Sequence, residues 1–248
     1  MATDKTTVLI TGANRGIGRG LLETYLVRPS HTVIAAVRDP GVTGAALQSL
    51  PRAESTTFLV VKIDSTDHAS PSAALSELQS KHKVRHLDLV IANAAISKVY
   101  PTAREAALED LREHFEVNTL GPLALFQATI PLLEKTPGSK FVGISSSAAS
   151  ISGINHASEP ESAYGLSKAG LNYLVRKMAF ENEGVIIFSI HPGWVQTDMG
   201  HNAALKLGID KPDITTEESV AGVIKVIDSA TKETSGTFKV YDGDDFPW

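Results

Sequence analysis

The short apolar runs of this chain are hydrophobic at consecutive rather than alternate positions, and no other feature narrows the fold as much. Thr7-Val8-Leu9-Ile10, His31–Val37 (HTVIAAV), 57–63 (TFLVVKI), Leu87-Asp88-Leu89-Val90-Ile91, 139–144 (SKFVGI) and 185–190 (VIIFSI) have strand length and no continuous polar face. Strands buried on both faces require a parallel sheet covered by helices on either side. Longer amphipathic stretches lie between them: from a glycine-rich turn to about residue 28, 70–82, 105–117 continuing past Asn118 toward Leu133, Ser162–Glu181 and Thr216–Ser229. The last opens with a Thr-x-x-Glu capping pattern at Thr215 or Thr216, and 237–241 supplies a seventh strand. This alternation predicts an α/β fold: a doubly wound, mostly parallel seven-stranded sheet with helices on both faces, Rossmann-like in outline. With 248 residues and no linker, repeat or low-complexity tract, residues 1–248 are expected to form a single domain. Two stretches read as irregular, 147–161 and 194–212. Both follow strand C-terminal ends, where open α/β sheets bind ligands.

Composition removes several function classes. Net charge is −5, so nucleic acid has no basic surface to meet. The absence of cysteine excludes disulfides, thiolate metal sites and cysteine nucleophiles together. No run has the length of a membrane span or the shape of a signal peptide, which predicts a cytoplasmic protein that does not engage membranes. Of the eight histidines, His82 and His86 straddle Lys83-Val84-Arg85 with no carboxylate arrangement nearby, and no metal is expected.

Thr11-Gly12-Ala13-Asn14-Arg15-Gly16-Ile17-Gly18 joins the first strand to the first helix. Glycines there let the backbone approach a pyrophosphate, and the helix N-terminus offers free N–H groups and a positive dipole end. The spacing is Gly-x-x-x-Gly-x-Gly rather than the Gly-x-Gly-x-x-Gly of the familiar dinucleotide fingerprint. In this form it resembles the short-chain dehydrogenase/reductase family, and further motifs stand where that family has them. Asn93-Ala94-Ala95 follows the fourth strand in place of Asn-Ala-Gly, and Asn118 lies in the next helix. A serine cluster follows the fifth strand, Tyr164-x-x-x-Lys168 opens the helix after it, and Pro192-Gly193 follows the sixth strand. The resemblance spans essentially the whole chain. Residues 192–200 (PGWVQTDMG) and 241–248 (YDGDDFPW) resemble the subgroup of small carbonyl reductases, fungal ketoreductases among them.

Carbonyl reduction needs a proton donor at oxygen while hydride reaches carbon. Tyr164 and Lys168 are one helical turn apart and share a face, and a nearby ammonium lowers a phenol's pKa from its usual value of about 10. The resemblance makes Tyr164 the proton donor and has Lys168 also bond the nicotinamide ribose. Ser145, Ser146 and Ser147 follow Ile144; alignment on the family's strand-end pattern puts the functional hydroxyl at Ser146 and leaves turn chemistry to the other two. The separation from Ser146 to Tyr164 exceeds the family's usual gap, so an insertion lies within 151–160. Asn118 resembles the family's helix-breaking asparagine, whose backbone carbonyl holds a water reaching Lys168. The competing reading is a helix-interior asparagine bonding locally.

The cofactor implied is NADP(H). An acidic residue ending the second strand would accept from an adenosine 2′-OH, whereas an arginine meets a 2′-phosphate. Here the strand ends Val37-Arg38, and Arg15 stands in the glycine loop, so two guanidiniums can converge on one phosphate. Asp39 then reads as a turn former past the strand. Gly12, Asn14, Arg15, Gly16, Ile17 and Gly18 are the candidate loop contacts. By resemblance Asp64 accepts from the adenine amino group, and Ile17, Asn93, Val195 and Thr197 line the pyrophosphate, ribose and nicotinamide amide.

The expected activity is NADPH-dependent reduction of a ketone to a secondary alcohol, on an apolar, aromatic or polyketide-like small molecule. Oxidation of a secondary alcohol would use the same residues. A non-catalytic NADP(H)-binding sensor is a third reading, although binding alone has no need of a proton donor. Pocket walls are expected from 96–100, 148–160 and 194–207. His191 is expected to pack near the cofactor loop, and His156 to touch substrate or stay structural. A homo-oligomer, dimer or tetramer, is expected. Opposite the Tyr164, Lys168, Leu171 and Val175 face of its helix, Leu166, Ala169, Tyr173 and Phe180 make a second apolar face.

Overall fold

Seven strands pair in the order β3-β2-β1-β4-β5-β6-β7, every neighbour parallel. They are β1 (Thr6–Thr11), β2 (His31–Val37), β3 (Thr57–Lys62), β4 (Leu89–Ala92), β5 (Lys140–Ile144), β6 (Ile186–His191) and β7 (Phe238–Val240). The computed structural model describes residues 5–155 and 159–248. The expected doubly wound α/β fold is therefore present, with a sheet that is wholly rather than mostly parallel.

Alternation along each strand divides the core in two. Val8 and Ile10 of β1 face one layer, with Leu21, Leu22 and Leu26 of α1 (Gly16–Leu26) and Val223 and Ile227 of α8 (Thr216–Ser229). Leu9 faces the other, with Leu75 and Leu78 of α3 (Ser70–Ser80), Leu125 and Leu133 of α5 (Gly121–Leu133), and Leu171 and Val175 of α6 (Ser162–Glu181). Each fully buried side chain of this kind contributes about 1.5–3 kcal/mol, and both layers are needed to keep the sheet dry.

Two helices stand where the sequence reading had none. Pro40–Gln48 forms α2: Asp39 is its N-cap, accepting from the N–H groups of Gly41 (3.0 Å) and Val42 (3.2 Å), with Pro40 in the first turn. Asp39 thus begins a helix rather than a simple turn. The stretch 194–212, expected to be irregular, contains α7 (Asp198–Leu207). The Thr197 hydroxyl caps its start by accepting from Gly200 N at 3.2 Å, and Gly208 ends it at φ 71°. The predicted helix through Asn118 is present as α4 (Leu108–Phe115), a π turn (Glu116–Leu120) and α5. Thr215, one of the two predicted caps, accepts from Glu218 N at 3.1 Å.

Parallel pairing brings the C-terminal ends of all seven strands to one edge. The order of strand addition reverses between β1 and β4: β2 and β3 lie on one side, β5 to β7 on the other. The loops leaving β1 and β4 diverge there and open a crevice. The loops after β5 and β6 rise beside it.

Candidate active site

The loop after β1 is built for close approach. Gly12 (φ 64°) and Gly16 (φ 53°) take left-handed conformations, and a Cβ on Gly18 would stand 2.3 Å from the Gly12 carbonyl oxygen and 2.4 Å from Asn93 Nδ2. Asn93 ties this loop to the end of β4: its amide donates to Thr11 O (2.9 Å) and Gly12 O (3.4 Å), while its N–H and that of Ala94 donate to the Thr11 hydroxyl. The Asn93 side chain is thereby committed to holding the loop. Arg15, the N-cap residue of α1, makes no side-chain cap, so N–H groups of the first turn face outward. A chain that leaves left-handed glycines beneath an uncapped helix start fits a pyrophosphate.

Arg15 and Arg38 are both exposed, and neither has an ion-pair partner among the described residues. Asp64, just past β3, accepts from the Thr66 N–H (3.0 Å) and hydroxyl (2.8 Å). Burial acts to raise its pKa, but these hydrogen bonds and the positive charges of Arg38 and Lys62 hold the carboxyl below its usual range. Asp64 is therefore an acceptor whose position is set by its own loop.

Above β5 the three serines separate cleanly. Ser145 is buried, with its N–H on Ile190 O at 2.7 Å. Ser147 is exposed and opens a 3-10 turn (Ser147–Ala149). Ser146 lies between, its hydroxyl accepting from Ala148 N at 3.2 Å and lining the same cavity as Tyr164. There α6 packs closely on the turn at Gly165, where a Cβ would stand 2.9 Å from Ala148 O.

Lys168 is buried, its Nζ donating to Ile144 O at 2.7 Å and standing 5.8 Å from the centre of the Tyr164 ring. Burial lowers its pKa to about 7. Burial also pushes the Tyr164 phenol up, with the Glu161 carboxylate adding to the rise and the Ser146 hydroxyl opposing it. The expected lowering of the tyrosine by a lysine charge is absent here: the amine is itself desolvated and carries less than a full charge near neutrality. Asn118 is fully buried inside the π turn. Its side chain bonds non-locally, accepting from Ile96 N (2.8 Å) and donating to Ile96 O (2.8 Å) and Ser167 Oγ (3.0 Å). The reading of a locally bonded asparagine is overturned, and π turns recur at functional sites.

Tyr164 and the three serines, but not Lys168 or Asn118, line a cavity of about 200 Å³. Ile17, Ser145, Ser146, Ser147 and Tyr164 meet Val195, Thr197, Met199, Ala203 and Leu207 there, with Ser97, Glu159, Glu161, His191 and Trp194 completing the wall. Three contributors went unread in the sequence: Glu161, His191 as a cavity residue, and the helical form of the 198–207 wall. Burial pushes His191 down to about 4, so its ring is neutral at neutral pH; Nδ1 accepts from Ser147 N at 3.1 Å. His156 lies outside the described residues.

The chain is similar to known proteins over nearly its whole length. The family described as short chain dehydrogenase matches residues 6–207. Norsolorinic acid ketoreductase of Dothistroma septosporum is 46% identical over 249 residues, covering 98% of this chain and 93% of that protein. The norsolorinic acid ketoreductase of Aspergillus parasiticus is 42% identical, covering 99% and 92%. Among solved structures, an NADPH-bound carbonyl reductase from chicken fatty liver superposes with TM-score 0.85 at 33% identity, over 99% of this chain and 100% of that one.

The buried lysine makes a prediction about the protein without ligand. Between pH 7 and about 10 the unfolded chain keeps the Lys168 proton while the folded chain has lost it, so stability must rise with pH by up to about 1.4 kcal/mol per unit from this group. Urea midpoints at pH 7 and 9.5 should climb more steeply in wild type than in Lys168→Met. Parallel slopes would refute the assignment.

Proposed function

The chain belongs to the short chain dehydrogenase family, and from that premise we propose that it reduces a ketone to a secondary alcohol with NADPH as hydride donor. The observation that carries this reading is a tyrosine on a cavity wall that Ser146 shares, one helical turn from a buried lysine whose Nζ stands 5.8 Å from its ring. A phenol held above its ordinary pKa keeps its proton until a substrate develops negative charge beside it, which suits a donor in the reductive direction.

In this reading the glycine loop and the start of α1 hold a pyrophosphate, and Arg15 and Arg38 meet the 2′-phosphate. When bound, the dinucleotide supplies the hydride. The Ser146 hydroxyl donates to the substrate carbonyl oxygen and fixes its position. The Tyr164 hydroxyl gives its proton to that oxygen as the carbon is reduced. As the phenolate forms, its charge raises the proton affinity of the nearby Lys168, whose ammonium then offsets it, and Asn118, anchored on Ile96 and Ser167, keeps the helix bulged where a proton path can approach Lys168. The apolar wall of Val195, Met199, Ala203 and Leu207 supports an apolar, aromatic or polyketide-like ketone. No helix of the described residues is long and apolar enough to cross a membrane, in keeping with a cytoplasmic enzyme.

Tyr164→Phe is expected to lower turnover by about 10²–10⁴-fold while NADPH still binds. Steady-state rates and a fluorescence titration measure both, and a variant retaining half the wild-type rate would remove Tyr164 from the mechanism. Arg38→Asp should invert the cofactor preference by setting a carboxylate against the 2′-phosphate. Hydrogen bonds to charged groups are worth roughly 1.5–3 kcal/mol each, reduced here by exposure. The kcat/KM ratio for NADPH over NADH should fall at least tenfold in the variant; an unchanged ratio means another residue reads the phosphate. Self-association through α6 belongs to the same proposal, because Leu166, Tyr173 and Phe180 are 51%, 69% and 68% exposed. Light scattering at micromolar concentration should give two or four times the chain mass, and a monomer mass would refute it.

A further inference from the structure

We infer that residues 242–248 and His191 form a brace that positions the serine turn facing the substrate, a role that rests on the ketone-reduction reading above. The turn after Ser146 is buried only at its middle, Ala149 and Ser150, while toward its ends Ser147 and Ser152 are exposed and Ile151 is 73% exposed. Its two ends are instead held by partners far away in the chain.

At the near end, His191 Nδ1 accepts the Ser147 N–H at 3.1 Å. The ring that makes this bond rests against Phe246, with centroids 5.7 Å apart, and Phe246 stacks edge-on against Phe238 at 5.3 Å. Main-chain bonds secure the segment to β7 and β6: Phe246 N donates to Phe238 O (2.7 Å), Val240 N to Asp244 O (2.8 Å), and Tyr241 N to His191 O (2.9 Å). At the far end, the Trp248 carbonyl oxygen accepts both the Ser152 N–H (3.0 Å) and the Ser152 hydroxyl (2.6 Å). The Trp248 indole is fixed between Phe238, at 5.5 Å, and the Arg176 guanidinium of α6, at 5.1 Å.

The segment therefore spans from β7 to α6, bonds residue 152 directly and backs the His191 ring that bonds residue 147. Ser146, which directly precedes residue 147, lines the cavity with Tyr164. An error of about 1 Å in such a group can cost about a hundredfold in rate, so a turn with exposed ends needs outside support. His191 serves as an acceptor only while neutral, and burial keeps it so. His191 and Trp248 are thus positioning residues, acting through the turn that carries Ser146.

The test separates positioning from general stability. His191→Phe keeps an aromatic ring against Phe246 and removes the acceptor; His191→Asn restores an acceptor without the ring. The expected result is a fall in kcat of tenfold or more for His191→Phe, recovery to within threefold of wild type for His191→Asn, and an NADPH Kd within twofold of wild type in both. Trp248→Ala and Ser152→Ala, at the other end, should each lower kcat/KM for the ketone at least fivefold. Their double variant should be no worse than the poorer single, since Trp248→Ala removes the indole that holds in place the main-chain oxygen met by the Ser152 hydroxyl. Undiminished kcat in His191→Phe, or losses in NADPH binding that match the losses in rate, would overturn the brace while leaving the proposed activity standing. A wild-type enzyme that binds NADPH and reduces no ketone would overturn both.

Discussion

Every functional group of this molecule depends on the parallel pairing of a sheet that is buried on both faces. Parallel strands cannot be joined by tight hairpins, so each connection must cross over a face, and each strand must point the same way. The result is one edge at which Thr11, Val37, Ala92, Ile144 and His191 all end. Nothing in those residues is chemically special as strand termini. What matters is that a glycine loop, an asparagine, a serine turn and a histidine are delivered to one rim by strands whose spacing is set by hydrogen bonds.

Burial then does the electrical work. The same exclusion of water that stabilises the layers lowers Lys168 to about 7, raises the Tyr164 phenol and keeps His191 neutral. In each case desolvation is the largest cause, ahead of any named charge. The free protein is thus arranged so that the tyrosine stays protonated and the lysine is close to giving up its charge. A lysine held by a single carbonyl, Ile144 O, has room for a further acceptor, and a nicotinamide ribose hydroxyl is the acceptor that the family resemblance implies for it.

What could be read in the sequence follows from the range of the forces involved. Strands were legible because consecutive apolar residues report burial locally, and Tyr164 and Lys168 because one helical turn fixes their shared face. Helices α2 and α7 were missed because Gly41, Gly44 and Gly200 dilute their patterns, although the caps Asp39 and Thr197 were present as local signals. The direction of the Tyr164 shift was not legible. It depends on how far Ser146 and the cavity wall exclude water from the phenol, and those residues reach Tyr164 only through the tertiary fold, whereas Glu161 is its neighbour along the chain. The His191–Ser147 bond, between residues 44 positions apart, has no sequence signature either.

Thr197 has one further consequence. It caps α7, whose Met199, Ala203 and Leu207 form the apolar wall, and its Cγ2 would lie 3.3 Å from a Cβ on Gly16 in the loop below. One residue is thus both the footing of the substrate wall and the ceiling of the nucleotide loop. In the proposed function a displacement of either would be felt by the other, and whatever coupling the two occupancies share would be reciprocal, each ligand altering the other's affinity by the same factor. A dissociation constant for either ligand would then have meaning only when the filling of its neighbour is stated.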